Sequence, residues 1–163
     1  MGTRATYQFL GQHSDAANAL VIYSHWDNYP SGAAANLLSA ACEYAKGGRF
    51  EPRKYRLNTI EFIRAVPGAE ITESHESHGD TEYRYICSGR TVSAYKAVYN
   101  EGSNDTVFEL FFEGDLQTFL IEYGDDDLLA LVKDKTVDEI CAELDASLKK
   151  IHVVSRHYEN ISC

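Results

Sequence analysis

A histidine with a carboxylate two residues away is raw material for general acid–base chemistry, and this sequence holds such a set directly after an apolar run. In N-A-L-V-I-Y-S-H-W-D-N-Y-P-S-G, residues 18–32, His25, Asp27 and Tyr29 alternate with Trp26 and Asn28. His25 beside Asp27 could act as a general base, and a Ser or Cys from elsewhere in the chain could be the nucleophile. The competing reading is structural, with Trp26 and Tyr29 as apolar anchors of a turn and Asp27-Asn28 as its turn pair. The chain has no G-x-S-x-G, H-E-x-x-H, P-loop or G-x-G-x-x-G, so no cofactor is expected and no named reaction follows from a motif.

Two further clusters carry potential ligands. His75 and His78 lie among Glu70, Glu73, Glu76 and Asp80, a donor set suited to a transition metal. H-x-x-H aligns both rings only on a helix, however, and Gly79 with the nearby serines argues for a surface loop over 70–80. Asp125, Asp126 and Asp127 are three adjacent carboxylates. They could meet a hard cation but lack the spaced ligands of an EF-hand, and Asp127 reads more simply as a helix cap. Cys42, Cys87, Cys141 and Cys163 form no C-x-x-C and are far apart, so core thiols are expected rather than a zinc site.

The elements that must position these residues follow from periodicity. Residues 5–10 and 19–24 read as two strands paired in a hairpin, the second nearly all apolar and so central in a sheet. Pro30 starts a helix over 33–46 with Ser31 as a cap, and Gly47-Gly48 ends it. Its alanines permit close packing on the sheet. Asn58 and Glu61 suggest a capping box for a short helix over 58–66. Residues 81–88, 91–99, 107–113 and 116–123 alternate as four strands of an antiparallel meander, turning at Gly89-Arg90 and Gly114-Asp115. Residues 128–133 form a short helix. Thr136 and Glu139 cap a last helix in which Ile140, Cys141, Leu144, Leu148 and Ile151 share a face. The expectation is a single α+β domain over 1–163: an antiparallel sheet of five or six strands with three or four helices packed mainly on one face.

Charge is distributed unevenly. The net charge is −10, yet residues 1–67 hold seven Lys/Arg against five Asp/Glu, and residues 68–163 hold eight against twenty. Residues 101–127 contain nine acids and no Lys or Arg. Such a field repels nucleic acid and favours a basic partner. The one basic patch, Arg49, Arg53, Lys54 and Arg56 with Phe50 and Tyr55 between them, reads as a counterweight, since nucleic-acid domains are normally basic overall. No stretch is long and apolar enough to span a membrane. Residues 1–4 have no apolar core behind their charge, so no secretory leader and a cytoplasmic location are expected.

The opening M-G-T-R-A-T, with H-W-D-N-Y-P-S-G-A-A a short way on, resembles a group of small phage and mobile-element proteins, over about the first forty residues. The resemblance implies a setting rather than site residues: small acidic phage proteins often bind host defence machinery, anti-CRISPR inhibitors among them. The first functional reading is therefore a non-enzymatic acidic binding protein. It would engage a basic host protein or nucleoprotein complex through Glu109, Glu113, Asp115, Glu122, Asp125, Asp126 and Asp127. The alternative is a small hydrolase or metal-assisted enzyme at the His25–Asp27 turn, helped by His75 and His78. A third reading is a homodimer joined at edge strands.

Overall fold

The computed structural model describes residues 2–11 and 19–144. Ten elements run β1 (Ala5–Leu10), β2 (Val21–Ser24), α1 (Pro30–Lys46), α2 (Thr59–Ala65), β3 (Glu70–Thr72), β4 (Tyr83–Ser88), β5 (Thr91–Asn100), β6 (Asp105–Asp115), α3 (Leu116–Tyr123) and α4 (Asp126–Val132). A further helix, α5, occupies 137–144. Of the residues singled out above, Leu148, Ile151 and Cys163 lie outside the described residues.

The fold is α+β, with one six-stranded sheet in the order β3-β2-β1-β4-β5-β6. The β1–β2 hairpin and the β4–β5–β6 meander are antiparallel as the alternation predicts. The sheet as a whole is mixed, because β1 and β4 run parallel, Tyr7 opposite Tyr85. Two strand assignments change. Residues 70–72, expected within a loop, form β3 on the outer edge of β2. Residues 116–123, expected as a strand, form helix α3. There Leu116, Phe119, Leu120 and Tyr123 recur at helical spacing, and Asp115 caps the helix by accepting from the Thr118 N–H at 2.8 Å. The aromatic and β-branched content of that stretch favours a strand locally, but cap and spacing together outweigh it. Gly114-Asp115 is accordingly the end of β6 and not a turn.

Capping also departs from expectation elsewhere. Pro30 takes the first turn of α1, but the N-cap is Tyr29 without a side-chain bond, so Ser31 does not cap. Asn58 precedes α2 without capping it. In α4 the cap is Asp125, accepting from the Leu128 N–H at 2.9 Å, rather than Asp127. The Thr136–Glu139 capping box of α5 is present, with the Glu139 N–H donating to Thr136 Oγ1 and Thr136 donating to Glu139.

One face of the sheet, Tyr7, Phe9, Ile22, Tyr83, Tyr85, Val92 and Phe112, packs against the helices. The alanines of α1 let it sink in, and Ala33, Ala34, Ala40 and Ala41 are fully buried. Tyr7 stacks on Tyr85 with ring centroids 5.1 Å apart and meets Phe62 of α2 at 4.4 Å.

Both tyrosines are polar at one end, and both ends find Asn28, which is completely buried. Tyr7 Oη donates to Asn28 Oδ1 at 2.7 Å, and Tyr85 Oη donates to the Asn28 carbonyl at 2.9 Å. The Asn28 amide nitrogen shares its two hydrogens among the carbonyls of Thr3, Ser24 and Trp26 and the Ser24 hydroxyl, at 2.8–3.1 Å. Removing the amide leaves buried acceptors unpaired. Asn28→Ala is expected to cost roughly 3 kcal/mol or more, and Asn28→Asp, nearly isosteric but with no amide donors, at least as much. Urea unfolding of both variants checks this; a loss under about 1 kcal/mol for either would contradict it.

Candidate functional site

His25 and Asp27 do not form a pair. Asp27 is exposed, in a left-handed backbone conformation at φ 53°, and no hydrogen bond links it to His25 among the described residues. Its carbonyl presses against Gly32, where any Cβ would collide with it. This fixes why a glycine follows Pro30-Ser31 at the start of α1. Trp26 and Tyr29, expected as anchors of the turn, are more than half exposed. Asn28 anchors it instead.

His25 belongs to a different group. Arg4 Nε donates to His25 Nδ1 at 3.4 Å, and the Tyr23 hydroxyl lies 3.3 Å from the same nitrogen. Tyr23 also donates to Asp80 at 3.4 Å, and Asp80 forms an ion pair with Arg4 at 3.0 Å. His78 stacks on Tyr23 with ring centroids 3.7 Å apart. Partial burial, and then the Asp80 carboxylate, raise the Tyr23 hydroxyl above its ordinary pKa. Sequence spacing offers no link between Arg4, Tyr23 and Asp80, which sit up to 76 positions apart with no motif joining them; Asp80 stands out there only as a flank of His75 and His78. Among the described residues no Ser, Thr or Cys is hydrogen-bonded to His25; the hydroxyl beside it is that of Tyr23.

His75 and His78 separate as well. The segment from β3 to β4 must cross β2 and β1, because β3 and β4 flank that pair. It crosses on the face opposite the helices and seals it. His75 Nδ1 lies 2.7 Å from Thr6 Oγ1 and His75 Nε2 lies 3.1 Å from Gln8 Oε1. The amide oxygen of Gln8 can only accept, so Nε2 carries the proton and Thr6 donates to Nδ1. Both ring nitrogens are thus engaged by β1, Nε2 through its N–H and Nδ1 through its lone pair. Among the described residues no group of three or more His, Cys, Asp or Glu is placed to hold one. Burial, and then the Arg84 charge, lower the His75 pKa to about 4.

The acidic stretch is arranged differently. Every acid of residues 101–127 is exposed. Asp115 and Asp125 cap helices, and the Thr118 N–H holds the Asp115 carboxyl below its usual range. Asp105, Glu109, Glu113 and Asp115 lie along β6, an eleven-residue strand at the end of the sheet. Among the described residues nothing pairs with its outer edge. A bulge at Phe111, where the pairing with β5 shifts between Ala94 and Tyr95, turns Phe111 toward the helices. Tyr123 packs edge-on against Phe111 and Phe112, at 5.5 and 5.8 Å between centroids. This contact holds the C-terminal end of α3 against β6. Val107 and Leu110 of β6 and Tyr99 of β5 are about half exposed between the charges.

The basic patch is partly used in packing. Arg53 covers the Tyr44 ring at 4.1 Å and donates to the Tyr44 carbonyl, closing the end of α1, while Phe50 is 90% exposed.

No family model, no curated protein and no solved structure matches this chain.

The neutral state of His75 sets a pH dependence. Its folded pKa is below the unfolded value, so the unfolded chain binds the extra proton first. Its contribution to stability is full above about pH 6.5 and is lost as pH falls toward 4. Thermal unfolding of the wild type is expected to fall more steeply across that window than that of His75→Gln. Parallel curves for the two would contradict it.

Proposed function

We propose that this protein is a non-enzymatic binding protein that takes a basic, extended segment of a partner along the acidic edge of its sheet. The observation that carries this reading is the coincidence of an eleven-residue strand whose outer edge has no partner among the described residues with exposed carboxylates along that strand. An edge strand offers a ladder of free N–H and C=O groups to another strand. Carboxylates along it favour Lys and Arg on the incoming chain, and the exposed Tyr99, Val107 and Leu110 favour apolar residues alternating with them.

A second copy is the poorer occupant. Antiparallel self-pairing about a two-fold axis sets Glu109 opposite itself in one register and opposite Glu113 in another, and like charges directly opposite each other are destabilising. The acidic field also speeds the approach of a basic partner and makes it sensitive to salt. A nucleic-acid-binding host protein has the required surface. The resemblance of the first forty residues to mobile-element proteins makes inhibition of a host defence complex the biological case of this reading.

The test uses the intact chain and a labelled peptide of alternating Lys and Val, with a second peptide of equal charge interrupted by Pro. The first is expected to bind, with affinity falling as salt rises, and the second to bind much more weakly because it cannot extend a sheet. Glu109→Lys, Glu113→Lys and Glu122→Lys together, which spare the capping Asp115 and Asp125, are expected to weaken binding by about tenfold or more with little change in stability. Equal binding by both peptides, or unchanged affinity and salt dependence in the triple variant, would contradict the reading. Capture from host lysate at low and high salt then identifies a natural partner.

A further inference from the structure

Two thiols 99 positions apart in sequence meet in the helix layer. Cys42 lies on the buried side of α1 and Cys141 in α5. Their Sγ atoms are 2.7 Å apart, inside the usual spacing of non-bonded sulfurs and a short movement from a covalent S–S bond of about 2.05 Å. The two differ in access. Cys141 is fully buried, whereas Cys42 keeps a little exposure on the wall of a groove between α1, α2 and α4, with Leu38, Lys46, Arg64 and Leu128 around it. Glu43 faces the same groove but is engaged by Lys46 at 3.2 Å, and Arg64 adds a further positive charge. Positive charge at the groove suits an acidic reagent. The third described cysteine, Cys87, is buried on β4, on the core face of the sheet.

We propose that Cys42 and Cys141 form a reversible disulfide that fastens α5 to α1, made by exchange with a small acidic disulfide of the glutathione class entering through this groove. The Cys42 thiolate attacks one sulfur of the small disulfide. That S–S bond breaks, and the first small thiol leaves with the proton that Cys42 gave up. Cys141 then attacks Cys42 Sγ in the mixed disulfide, and the second small thiol leaves with the Cys141 proton. Two protein thiols are oxidised by two electrons, and one small disulfide is reduced to two thiols. In a reducing compartment the pair rests as thiols and closes only when the disulfide pool rises.

The test is made on the full chain, incubated at a series of reduced-to-oxidised glutathione ratios, acid-quenched, alkylated and digested. The expected product is a peptide containing Cys42 linked to one containing Cys141, with an intact mass lower by two hydrogens and Cys87 still alkylated. Because the bond closes a loop of about a hundred residues, the oxidised form is expected to melt roughly 5–15 °C above the reduced form. Cys42→Ala and Cys141→Ala should each abolish that rise. Glutathione retained on Cys42 without linkage to Cys141, linkage to Cys163 instead, or linkage without a rise in melting temperature would overturn the proposal. The peptide map needs no variant, so a variant that fails to fold does not blunt it. The Glu109, Glu113 and Glu122 charge-reversal chain should form the bond equally, which separates this test from that of partner binding.

Discussion

Burying an asparagine is costly unless all its polar atoms are paired, and the pairing of Asn28 constrains much of this fold. Its amide and carbonyl tie together Thr3 ahead of β1, the end of β2, the turn beyond it, Tyr7 of β1 and Tyr85 of β4. The Tyr7 hydroxyl also accepts from Asn36 of α1 at 3.3 Å. Burial raises both tyrosine pKa values far above ordinary, so each hydroxyl stays a neutral donor. The parallel neighbours β1 and β4, which no local turn could hold in register, are thereby locked at one end by a polar group within an aromatic core. Only one arrangement of β1, β4, α1 and the turn satisfies every atom, and this gives the network value for specificity as well as stability.

The same demand for satisfied polar atoms explains the opposite face. Thr6 and Gln8 alternate with Tyr7 and Phe9, so they point away from the helices, yet both are buried. The crossover from β3 to β4 covers them, and His75 supplies the partner each needs. A histidine between two carboxylate-rich flanks thus serves as a neutral wedge, which is why its burial excludes the proton a metal-site or switch histidine would exchange near neutrality. His25 and His78 occupy the rim of the same crossover, where Arg4 and Asp80 meet. Those side chains are substantially exposed, so their ion pair shapes the surface more than it stabilises the fold.

At the far end of the sheet the balance reverses. Among the described residues β6 has a partner on one side only, and its carboxylates remain in water, where they carry no burial penalty. In the proposed reading, like charges on this edge strand disfavour pairing between copies and suit a chain of opposite charge. Strand pairing and charge act together there: hydrogen bonds would give affinity, and the acids would select what binds.

Much of this was written locally in the chain. Alternation marked β1, β4, β5 and β6, an apolar run marked β2, the spacing after Pro30 marked α1, and Thr136 with Glu139 marked α5, because each signal depends on neighbours within a turn or a pleat. The charge asymmetry was equally plain, and so was its exposure, since so many carboxylates cannot be buried. Tertiary structure decided what depends on distant partners. Residues 116–123 carry both strand-like composition and helical spacing, and packing of Phe119 and Tyr123 on Phe112 selects the helix. Three residues of β3 are too few to declare themselves without β2 beside them. The parallel pairing of β1 with β4, the burial of Asn28, the separation of His25 from Asp27 and the meeting of Cys42 with Cys141 arise from contacts across tens of residues, for which a single sequence holds no local mark.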